Sequence, residues 1–423
     1  MSKTKKSPSA PFLWGASSSA HQIEGGTFNQ WTVWEKNNAA VLAEQAKYLG
    51  RQYPDFKRLR PYITKPENYI SGRLADHYNR YEADFDILEQ LGLNAFRFSI
   101  EWSRIQPASE HDWEDEAVDH YRRYLQSLKK RGITPVVTLW HFTHPVWFEA
   151  KGAFEQRRNI RYFVRYVQRL MQELGEDIEY VVPINEPDTY ALESYARVEW
   201  PAPHPTRLNG LKVYWNLLAA HRQVYRLLKQ QRGQHYQVGF NKGYAYYYTA
   251  DGAWNSRLAA WGAYLLADDL VMALLRRQYD YVAVNYYFAV RLRGFRVNNP
   301  PNEPLSDMGW GMQPQYLAPV LVRLYRRCKK PILVTETGVA DVDDKYRKWW
   351  ITENLKALSA ARKQGVKLIG YMHWALLDNF EWAHGRWPCF GLVAVNYATL
   401  KRTIRPSAKW YAAAIAYFRH RHP

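Results

Sequence analysis

The stretch Tyr180-Val181-Val182-Pro183-Ile184-Asn185-Glu186 is apolar along most of its length and ends in an amide and a carboxylate. Its length and apolar character are those of a buried strand. The same unit, a short apolar segment before a long amphipathic one, recurs through the chain. The segments predicted as strands are Phe12–Ala16, Ala95–Ile100, Pro135–Trp140, Tyr180–Asn185, Gln237–Asn241, Tyr281–Tyr286, Ile332–Glu336 and Leu368–Trp374.

Amphipathic patterns between these segments predict helices. Several of them end at a glycine that stops a helix before the next strand, as at Gly92, Gly132 and Gly365. Eight such βα units in one unbroken chain predict an α/β fold, a single-domain (β/α)8 barrel. The clearest predicted helices are Asp76–Leu91, Ala117–Arg131, Arg161–Leu174, Leu211–Gln231, Tyr316–Cys328 and Arg347–Gln364.

The composition is that of a folded protein, with 47% hydrophobic and 23% charged residues. We expect the barrel over residues 11–418, a disordered N-terminal tail at 1–10 and a C-terminal tail at 419–423. The two cysteines fit reduced thiols, the first ten residues lack an apolar stretch, and no run of about 18 apolar residues occurs. A cytoplasmic protein with no membrane span is therefore expected.

The formal net charge of +18 raises two classes of partner, nucleic acids and anionic membrane surfaces. The basic residues are dispersed, however, and no long basic run lies in a Gly/aromatic RNA-binding context. A solvated basic surface with no nucleic-acid partner is favoured. The 18 Trp and 32 Tyr fit core filling as well as stacking on sugar rings.

In a (β/α)8 barrel, chemistry takes place at the carboxyl ends of the strands. His141, Asn185, Glu186, Asn285 and Glu336 all lie at or just after such predicted ends. Buried polar groups are costly unless they are paired or used. A purely structural ring of polar residues is the less favoured interpretation.

Glu186 and Glu336 follow predicted strands four and seven, which face each other across the barrel mouth. Two such carboxyls, about 5–5.5 Å apart, perform retaining glycoside hydrolysis when one is protonated and the other ionised. Arg97 and Tyr287 are placed to hold Glu336 ionised. His141 and His144 lie three residues apart with no third ligand nearby, so neither a metal site nor a cofactor is expected.

Short motifs in a constant order, from about Pro11 to Ala414, resemble family 1 glycoside hydrolases. The C-terminal region is more similar to the archaeal-type β-glycosidases than to the plant enzymes of the family. The motifs include Asn94-Ala95-Phe96-Arg97-Phe98-Ser99-Ile100, Pro135-Val136-Val137-Thr138-Leu139-Trp140-His141, Asn185-Glu186-Pro187, Asn285-Tyr286-Tyr287, Thr335-Glu336 and Asp378-Asn379-Phe380-Glu381-Trp382.

The resemblance implies that Glu186 is the acid/base and Glu336 the nucleophile. Trp374 matches the indole platform beneath the sugar, and Arg97, Asn285 and Tyr287 are expected to support the nucleophile. The residues that match hydroxyl-binding positions are Gln22, His141, Asn185, Glu381 and Trp382, and Tyr287 completes the substrate-binding set.

Glu381 also bears on the substrate class. In the branch of the family that hydrolyses 6-phosphoglycosides this position is typically a small hydroxyl residue, and a carboxylate there would repel a phosphate. The resemblance therefore implies a retaining exo-β-glycosidase that acts on a glycoside or oligosaccharide of neutral sugars. A β-glucosidase is expected, and β-galactosidase or β-fucosidase activity is left open. The sequence also leaves open whether the protein assembles into a homo-oligomer.

Thr337, Cys389, Phe142 and Phe154 depart from the usual residues of the family. Thr337 and Cys389 motivate one alternative, a sugar-binding barrel with weakened catalysis. A second alternative is a transglycosylase that uses the same two glutamates, because retaining mechanisms permit an acceptor other than water.

Overall fold

The computed structural model describes residues 11–231, 236–298 and 303–421, and the N-terminal tail expected at 1–10 lies outside them. Eight parallel strands form one closed barrel in which each strand pairs with the next in sequence and the last pairs with the first. The strands are β1 Leu13–Ser17, β2 Ala95–Ser99, β3 Thr134–Thr138, β4 Tyr180–Val182, β5 Gln237–Gly243, β6 Tyr281–Asn285, β7 Ile332–Glu336 and β8 Leu368–Trp374.

All eight predicted strands are confirmed, and β7 and β8 have the predicted bounds. The largest difference is in β4, which ends at Val182 rather than at Asn185. Pro183 follows at once, and a proline has no N–H with which to continue a ladder of hydrogen bonds. The barrel closes where β1 pairs with β8, with Leu13 opposite Gly370.

In the described part of the chain, eight helices pack around the barrel, and the six predicted ones are confirmed. In α3 the buried residues include Phe163, Val167, Leu170 and Leu174, which recur at the spacing of one helix face. The helices are α1 His77–Gln90, α2 Asp115–Lys130, α3 Ile160–Leu174, α4 Arg207–Gln230, α5 Trp254–Leu274, α6 Leu317–Cys328, α7 Arg347–Lys363 and α8 Pro406–Arg421.

α5 consists of two α-helical parts, Trp254–Tyr264 and Leu270–Leu274, joined by one π-helical turn at Leu265–Asp269. α8 runs to Arg421, so the first part of the segment 419–423 is helical rather than a separate tail. None of the helices in the described part of the chain combines the length and the apolar character needed to cross a bilayer.

Further elements lie in the loops between the barrel units. The loop helices are Ala20–Ile23, Gln30–Leu49, Phe56–Ile63, Trp102–Ile105, Val146–Ala150 and Pro187–Ala191, with a π turn at Leu192–Ala196. Single 3-10 turns occur at Gly50–Gln52, Pro66–Tyr69, Ala153–Glu155, Arg157–Asn159, Gly175–Asp177, Pro314–Tyr316 and Trp382–His384. One small sheet has three strands, Tyr246–Thr249, Ala289–Arg293 and Arg296–Val297. Another has two strands, Val393–Val395 and Arg402–Ile404.

The core has two layers. Inside the barrel, Leu13, Val136, Tyr281, Leu333 and Met372 pack against one another and are nearly inaccessible. A larger apolar cluster fills the space between the barrel and its helices. The polar strand ends therefore meet above a filled barrel interior, at the carboxyl end, as the (β/α)8 architecture requires.

Candidate active site

The two candidate catalytic carboxylates follow strands that face each other. Glu336 is the last residue of β7, and Glu186 comes four residues after the end of β4. The backbone of Glu186 has φ 33°, in the left-handed region that residues other than glycine rarely occupy. Strain of this kind is typical of functional sites, where the surrounding contacts hold the residue in place.

Two donors bind Glu336, one within β2 and one two residues after the end of β6. The Arg97 guanidinium, fully buried in β2, forms an ion pair with Oε1 of Glu336. The Tyr287 hydroxyl donates to Oε2 at 2.7 Å. Both oxygens of this buried carboxylate thus accept a hydrogen bond, one of them from a permanent cation.

Glu186 lies in a different environment. Burial raises the pKa of Glu186 to about 8, and the negative charges of Glu336 and Asp188 act in the same direction. The Asn285 amide donates to Oε1 of Glu186 at 2.7 Å. Two buried carboxyls in one site therefore have unlike surroundings, one paired with arginine and one favoured in its protonated form.

A network of amides connects the two carboxyls. Oδ1 of Asn185 accepts from Arg97 at 2.6 Å and from Asn285 at 3.4 Å. Asn241 accepts the Glu186 backbone N–H at 3.0 Å and donates to Oδ1 of Asn285 at 3.0 Å. Arg97 contacts Glu336, whereas Asn285, expected to support the same carboxylate, contacts Glu186 instead.

A third carboxyl faces the same space. Glu381 accepts from Asn379 at 2.8 Å and from Gln22 at 3.4 Å. Burial raises the pKa of Glu381 to about 8, and the charge of Glu336 adds to this effect. Burial also raises the pKa of Tyr287 well above its usual range, with contributions from Glu336, Glu186 and Glu381. The three carboxyls thus converge around Tyr287.

Aromatic rings form a wall of the site. The His141 ring stacks on Trp374 at 5.9 Å and 20°, and on Trp382 at 6.1 Å and 17°. Burial and the nearby Arg97 lower the pKa of His141 well below its usual range, so the imidazole is neutral. Its Nδ1 is buried and has no hydrogen-bond partner among the described residues.

Trp382 is held from behind by an aromatic cluster. Its indole lies 4.9 Å from Trp31, 5.3 Å from Phe142 and 5.4 Å from Trp200, measured between ring centroids. Phe142, which departs from the family pattern, therefore packs against a predicted sugar-binding residue without adding a polar group. The structure brings every predicted site residue to the carboxyl end of the barrel.

Thr337, the departure next to Glu336, is directed away from the site. Its hydroxyl accepts hydrogen bonds from Trp350 Nε1 at 3.1 Å and from Asn354 Nδ2 at 3.2 Å, both on α7. The Cys389 carbonyl accepts from Arg347 at 2.7 Å, and burial raises the pKa of its thiol. These hydrogen bonds support the loops around the site rather than the two carboxyls.

Other polar residues near the strand ends have structural partners. Glu24 accepts from Arg104 and from Tyr121, each at 2.8 Å. His144 bonds Glu149 at 2.8 Å. Residues 11–231, 236–298 and 303–421 contain no group of three or more His, Cys, Asp or Glu side chains placed to hold a metal ion.

Three residues that contribute to the site were not among its predicted members: Asn241, Thr335 and Asn379. Thr335 donates to Asn285 at 2.7 Å, and Asn379 binds Glu381. A signal for Asn241 existed, because it is a polar residue near the end of a predicted strand. Asn379 adjoins Phe380-Glu381 in sequence, but only the fold shows that its amide bonds the carboxylate.

The arrangement supplies what glycoside hydrolysis by two carboxyls requires, a protonated acid, an arginine-paired carboxylate and polar groups beside aromatic faces. Comparison with known proteins agrees. The β-glucosidase A of Acetivibrio thermocellus is 28% identical over 464 residues, which cover 96% of this chain and 97% of that protein.

Solved structures are similar over the same extent. A β-glycosidase from Pyrococcus horikoshii has a TM-score of 0.81 at 31% identity and covers 95% of this chain and 93% of that one, in agreement with the expected archaeal-type likeness. A β-glucosidase from Thermotoga maritima in complex with glucoimidazole has a TM-score of 0.83 at 24% identity, with 96% and 98% covered, and shows the fold alone.

The sequence profile described as "Glycosyl hydrolase family 1" matches residues 4–264 and 257–418, nearly the whole chain. The motifs, the closed barrel and the paired carboxyls at its mouth all agree with this match. The chain is thus a glycoside hydrolase, and it belongs to family 1 of the glycosyl hydrolases.

Proposed function

We propose that this family 1 enzyme is an exo-acting β-glycosidase, chiefly a β-glucosidase, in which Glu336 is the nucleophile and Glu186 the acid/base. The observation that carries the assignment is the difference between their surroundings. Glu336 is bonded by Arg97 and Tyr287, whereas burial raises the pKa of Glu186 to about 8. A nucleophile must be ionised and a general acid protonated, which is the division that these environments favour.

The proposed reaction has two displacements. An oxygen of Glu336 attacks the anomeric carbon while the glycosidic C–O bond breaks and Glu186 gives its proton to the leaving oxygen. The product is a glycosyl ester of Glu336. Glu186, now ionised, takes a proton from water, and this water attacks the anomeric carbon and releases Glu336. The anomeric configuration is therefore retained.

Arg97 and Tyr287 have positioning roles in this scheme. Because they hold both oxygens of Glu336, its rotation is restricted before attack. Asn285 orients Glu186, and the same amide bonds Asn185, so the acid/base and the hydroxyl-binding asparagine are positioned together. Such preorganisation lowers the barrier because little reordering is left for the transition state.

The glycone is proposed to be a neutral hexose. Glu381 and Gln22 form a hydrogen-bonded pair that can bind adjacent sugar hydroxyls, and the neutral His141 imidazole lies against the Trp374 and Trp382 rings. Trp374 and Trp382 supply flat apolar faces for the ring. The β-glucosidase name of the Acetivibrio relative supports glucose as the first sugar to test.

Azide rescue tests the two roles. Glu336→Gly is expected to lower kcat on an aryl β-glucoside about 10⁴-fold, and azide should restore activity with an α-glycosyl azide as product. Glu186→Gly should be rescued with a β-glycosyl azide, because the covalent intermediate still forms. Full activity of Glu336→Gly without azide, or the opposite product anomers, would contradict the assignment.

We also propose that the enzyme works inside the cell. Cys328 and Cys389 are free thiols, and a reducing compartment keeps thiols in that state. A hyperthermophilic β-glucosidase mutant with a TM-score of 0.81 to this chain is described as forming a dodecamer, which supports a test for self-association. Fractionation of cells with antibody detection, and light scattering of the purified protein, test these two proposals.

A further inference from the structure

The outer face of α5 carries a stripe of large apolar side chains in water. Single exposed apolar residues are ordinary on protein surfaces, but contiguous ones are not. Nine of the 23 exposed large hydrophobics among the described residues lie between Trp254 and Val297. Those on α5 are Trp254, Leu258, Trp261, Leu266, Leu270 and Leu274, with Trp254 76% and Leu266 70% exposed.

The π turn in α5 keeps this stripe on one side of the helix. Trp254, Leu258 and Trp261 follow one another at steps of four and three residues, the spacing of one face. The next member, Leu266, comes five residues later, across the turn at Leu265–Asp269. Because a π turn contains one residue more than an α turn, the five-residue step does not rotate the stripe out of line.

A neighbouring hairpin extends the apolar surface. The backbone N–H of Gly294 donates to Ser256 Oγ in α5 at 2.7 Å, which fixes the hairpin tip beside the start of the helix. Phe295 and Val297 follow Gly294 and are 73% and 66% exposed. We call the six exposed apolar side chains of α5, together with Phe295 and Val297, the apolar patch.

Arginines lie near the apolar patch in sequence. Arg257, Arg276, Arg277 and Arg296 are exposed and form no ion pair with any described residue. The acidic residues of α5 are neutralised from elsewhere. Asp268 pairs with Lys242 at 3.2 Å and Arg323 at 3.0 Å, and Asp269 pairs with Arg327 at 2.9 Å. The exposed apolar side chains are thus interspersed with exposed arginines at Arg257 and Arg296, and two more arginines follow the end of α5.

We propose that the apolar patch docks on the surface of an anionic lipid bilayer. Trp, Phe and Leu on one face with arginines beside them is the combination that places a helix in a membrane interface, where apolar burial and attraction to anionic headgroups add. A second copy of this chain fits less well. A two-fold contact would bring the same arginines against one another in a protein of net charge +18.

The apolar patch is connected to the barrel mouth through two short segments. The strand Tyr246–Thr249, which leads to α5, begins three residues after Gly243, where an added Cβ would be 3.5 Å from Oε1 of Glu186. The strand that leads to the hairpin begins at Ala289, two residues after Tyr287. Docking therefore holds the side of the molecule next to the acid/base against the lipid surface, whichever glycoside is the substrate.

Vesicle sedimentation tests the proposal with the whole chain. The protein should pellet with vesicles of phosphatidylcholine and phosphatidylglycerol at low salt, and much less with phosphatidylcholine alone. The combined variant Trp254→Ser, Trp261→Ser and Phe295→Ser should lower the partition coefficient at least tenfold. Arg257→Glu with Arg296→Glu should lower it similarly and weaken its salt dependence.

A matched control removes three equally exposed aromatic side chains outside the patch, Phe28→Ser, Tyr48→Ser and Tyr62→Ser. This control should pellet like the unmodified protein, and all variants should keep their melting temperature and their turnover of a soluble aryl β-glucoside. Three results would overturn the proposal. They are no sedimentation with anionic vesicles, an equal loss in the control, or a dimer in light scattering that the patch variant dissociates.

Discussion

At the scale of single residues, the surroundings of Glu186 have a kinetic consequence. The first displacement requires Glu186 to be protonated, and its pKa is raised to about 8. We expect kcat/KM to stay high up to about pH 8 and to fall with the loss of this proton above it. A pH profile on an aryl β-glucoside measures this limb.

Glu381 titrates in the same range, since burial raises its pKa to about 8 as well. Two variants separate the two groups. With a dinitrophenyl glucoside, which needs no acid, Glu186→Gln should lose the alkaline limb. Glu381→Gln should bind sugar more weakly yet keep the limb. A limb that disappears only in Glu381→Gln would show that it reports on substrate binding.

Thr337 provides a second test at this scale. Its hydroxyl accepts from the buried donors Trp350 Nε1 and Asn354 Nδ2, so Thr337→Val leaves both without a partner. We expect this isosteric change to lower the free energy of unfolding by about 2 kcal/mol and to change kcat by less than about twofold. Urea unfolding and initial rates measure the two effects.

The control for Thr337 is Thr352→Val, also a Thr→Val change, because Thr352 donates to the Lys348 carbonyl on the exposed side of α7. It should change the free energy of unfolding by less than about 0.5 kcal/mol. A tenfold loss of kcat in Thr337→Val with unchanged stability would show that this residue tunes the nucleophile after all.

Much of the site was predictable because its members are polar residues at strand ends. The two glutamates, Arg97 and Tyr287 lie where the strand pattern and the motifs place them. The specific partners were not predictable. That Asn285 contacts Glu186 rather than Glu336 depends on the left-handed backbone of Glu186, which no sequence spacing shows.

At the scale of elements, β7 and β8 approach each other closely just after Glu336. A Cβ added to Gly338 would lie 1.9 Å from the carbonyl oxygen of Trp374. Gly338→Ala must therefore displace the end of β8 and with it the Trp374 indole. We expect a loss of about 100-fold in kcat/KM and of about 2 kcal/mol in stability, measured by steady-state kinetics and thermal unfolding.

Gly262→Ala is the control for this change. Gly262 lies inside α5, and nothing is within 4 Å of an added Cβ. The helix should gain about 0.5–1 kcal/mol from the alanine, with kcat/KM unchanged. Equal effects of the two substitutions would show that the close contact at Gly338 is easily relieved.

The barrel elements were predictable from sequence and the loop elements were not. A barrel strand buried on both faces reads as an apolar run, and its helix has a clear apolar face. The helix Gln30–Leu49 instead buries small residues such as Ala39, Ala43 and Ala46, which give weak periodicity. Its capping box, Asn29 with Thr32, was the available signal.

At the scale of the whole molecule, buried histidines set the response to acid. Burial lowers the pKa of His120, His221 and His384 to about 4, and that of His141 and His373 well below its usual range. The unfolded chain protonates these five groups near pH 6.5, whereas the folded protein does not. Stability should therefore fall as the pH falls below 6.5.

Six carboxyls oppose this trend, because burial raises the pKa of each: Glu24, Glu186, Glu193, Asp268, Asp307 and Glu381. Glu186 and Glu381 keep a proton in the folded protein up to about pH 8, and each takes one up on folding above pH 4.5. The five histidines outnumber the two carboxyls whose pKa is raised most, Glu186 and Glu381, so we expect the unfolded chain to bind more protons near pH 5.5. The melting temperature should be lower at pH 5.5 than at pH 7.5, and less so in His221→Gln. A melting temperature that rises on acidification would contradict this balance.

The pairing of β1 with β8 bears on how the protein is made. β1 and its partner Leu368–Trp374 lie about 350 residues apart in sequence, so the ribosome releases the second strand long after the first. The final helix also reaches back to β1, where Tyr411 donates to the Gly15 carbonyl at 3.1 Å. Until β8 has been synthesised, the nascent chain keeps an open strand edge at each end of the unfinished sheet. Closure of the barrel is therefore delayed until β8 is available. A chain that stops before Leu368 would expose both strand edges and be prone to aggregation.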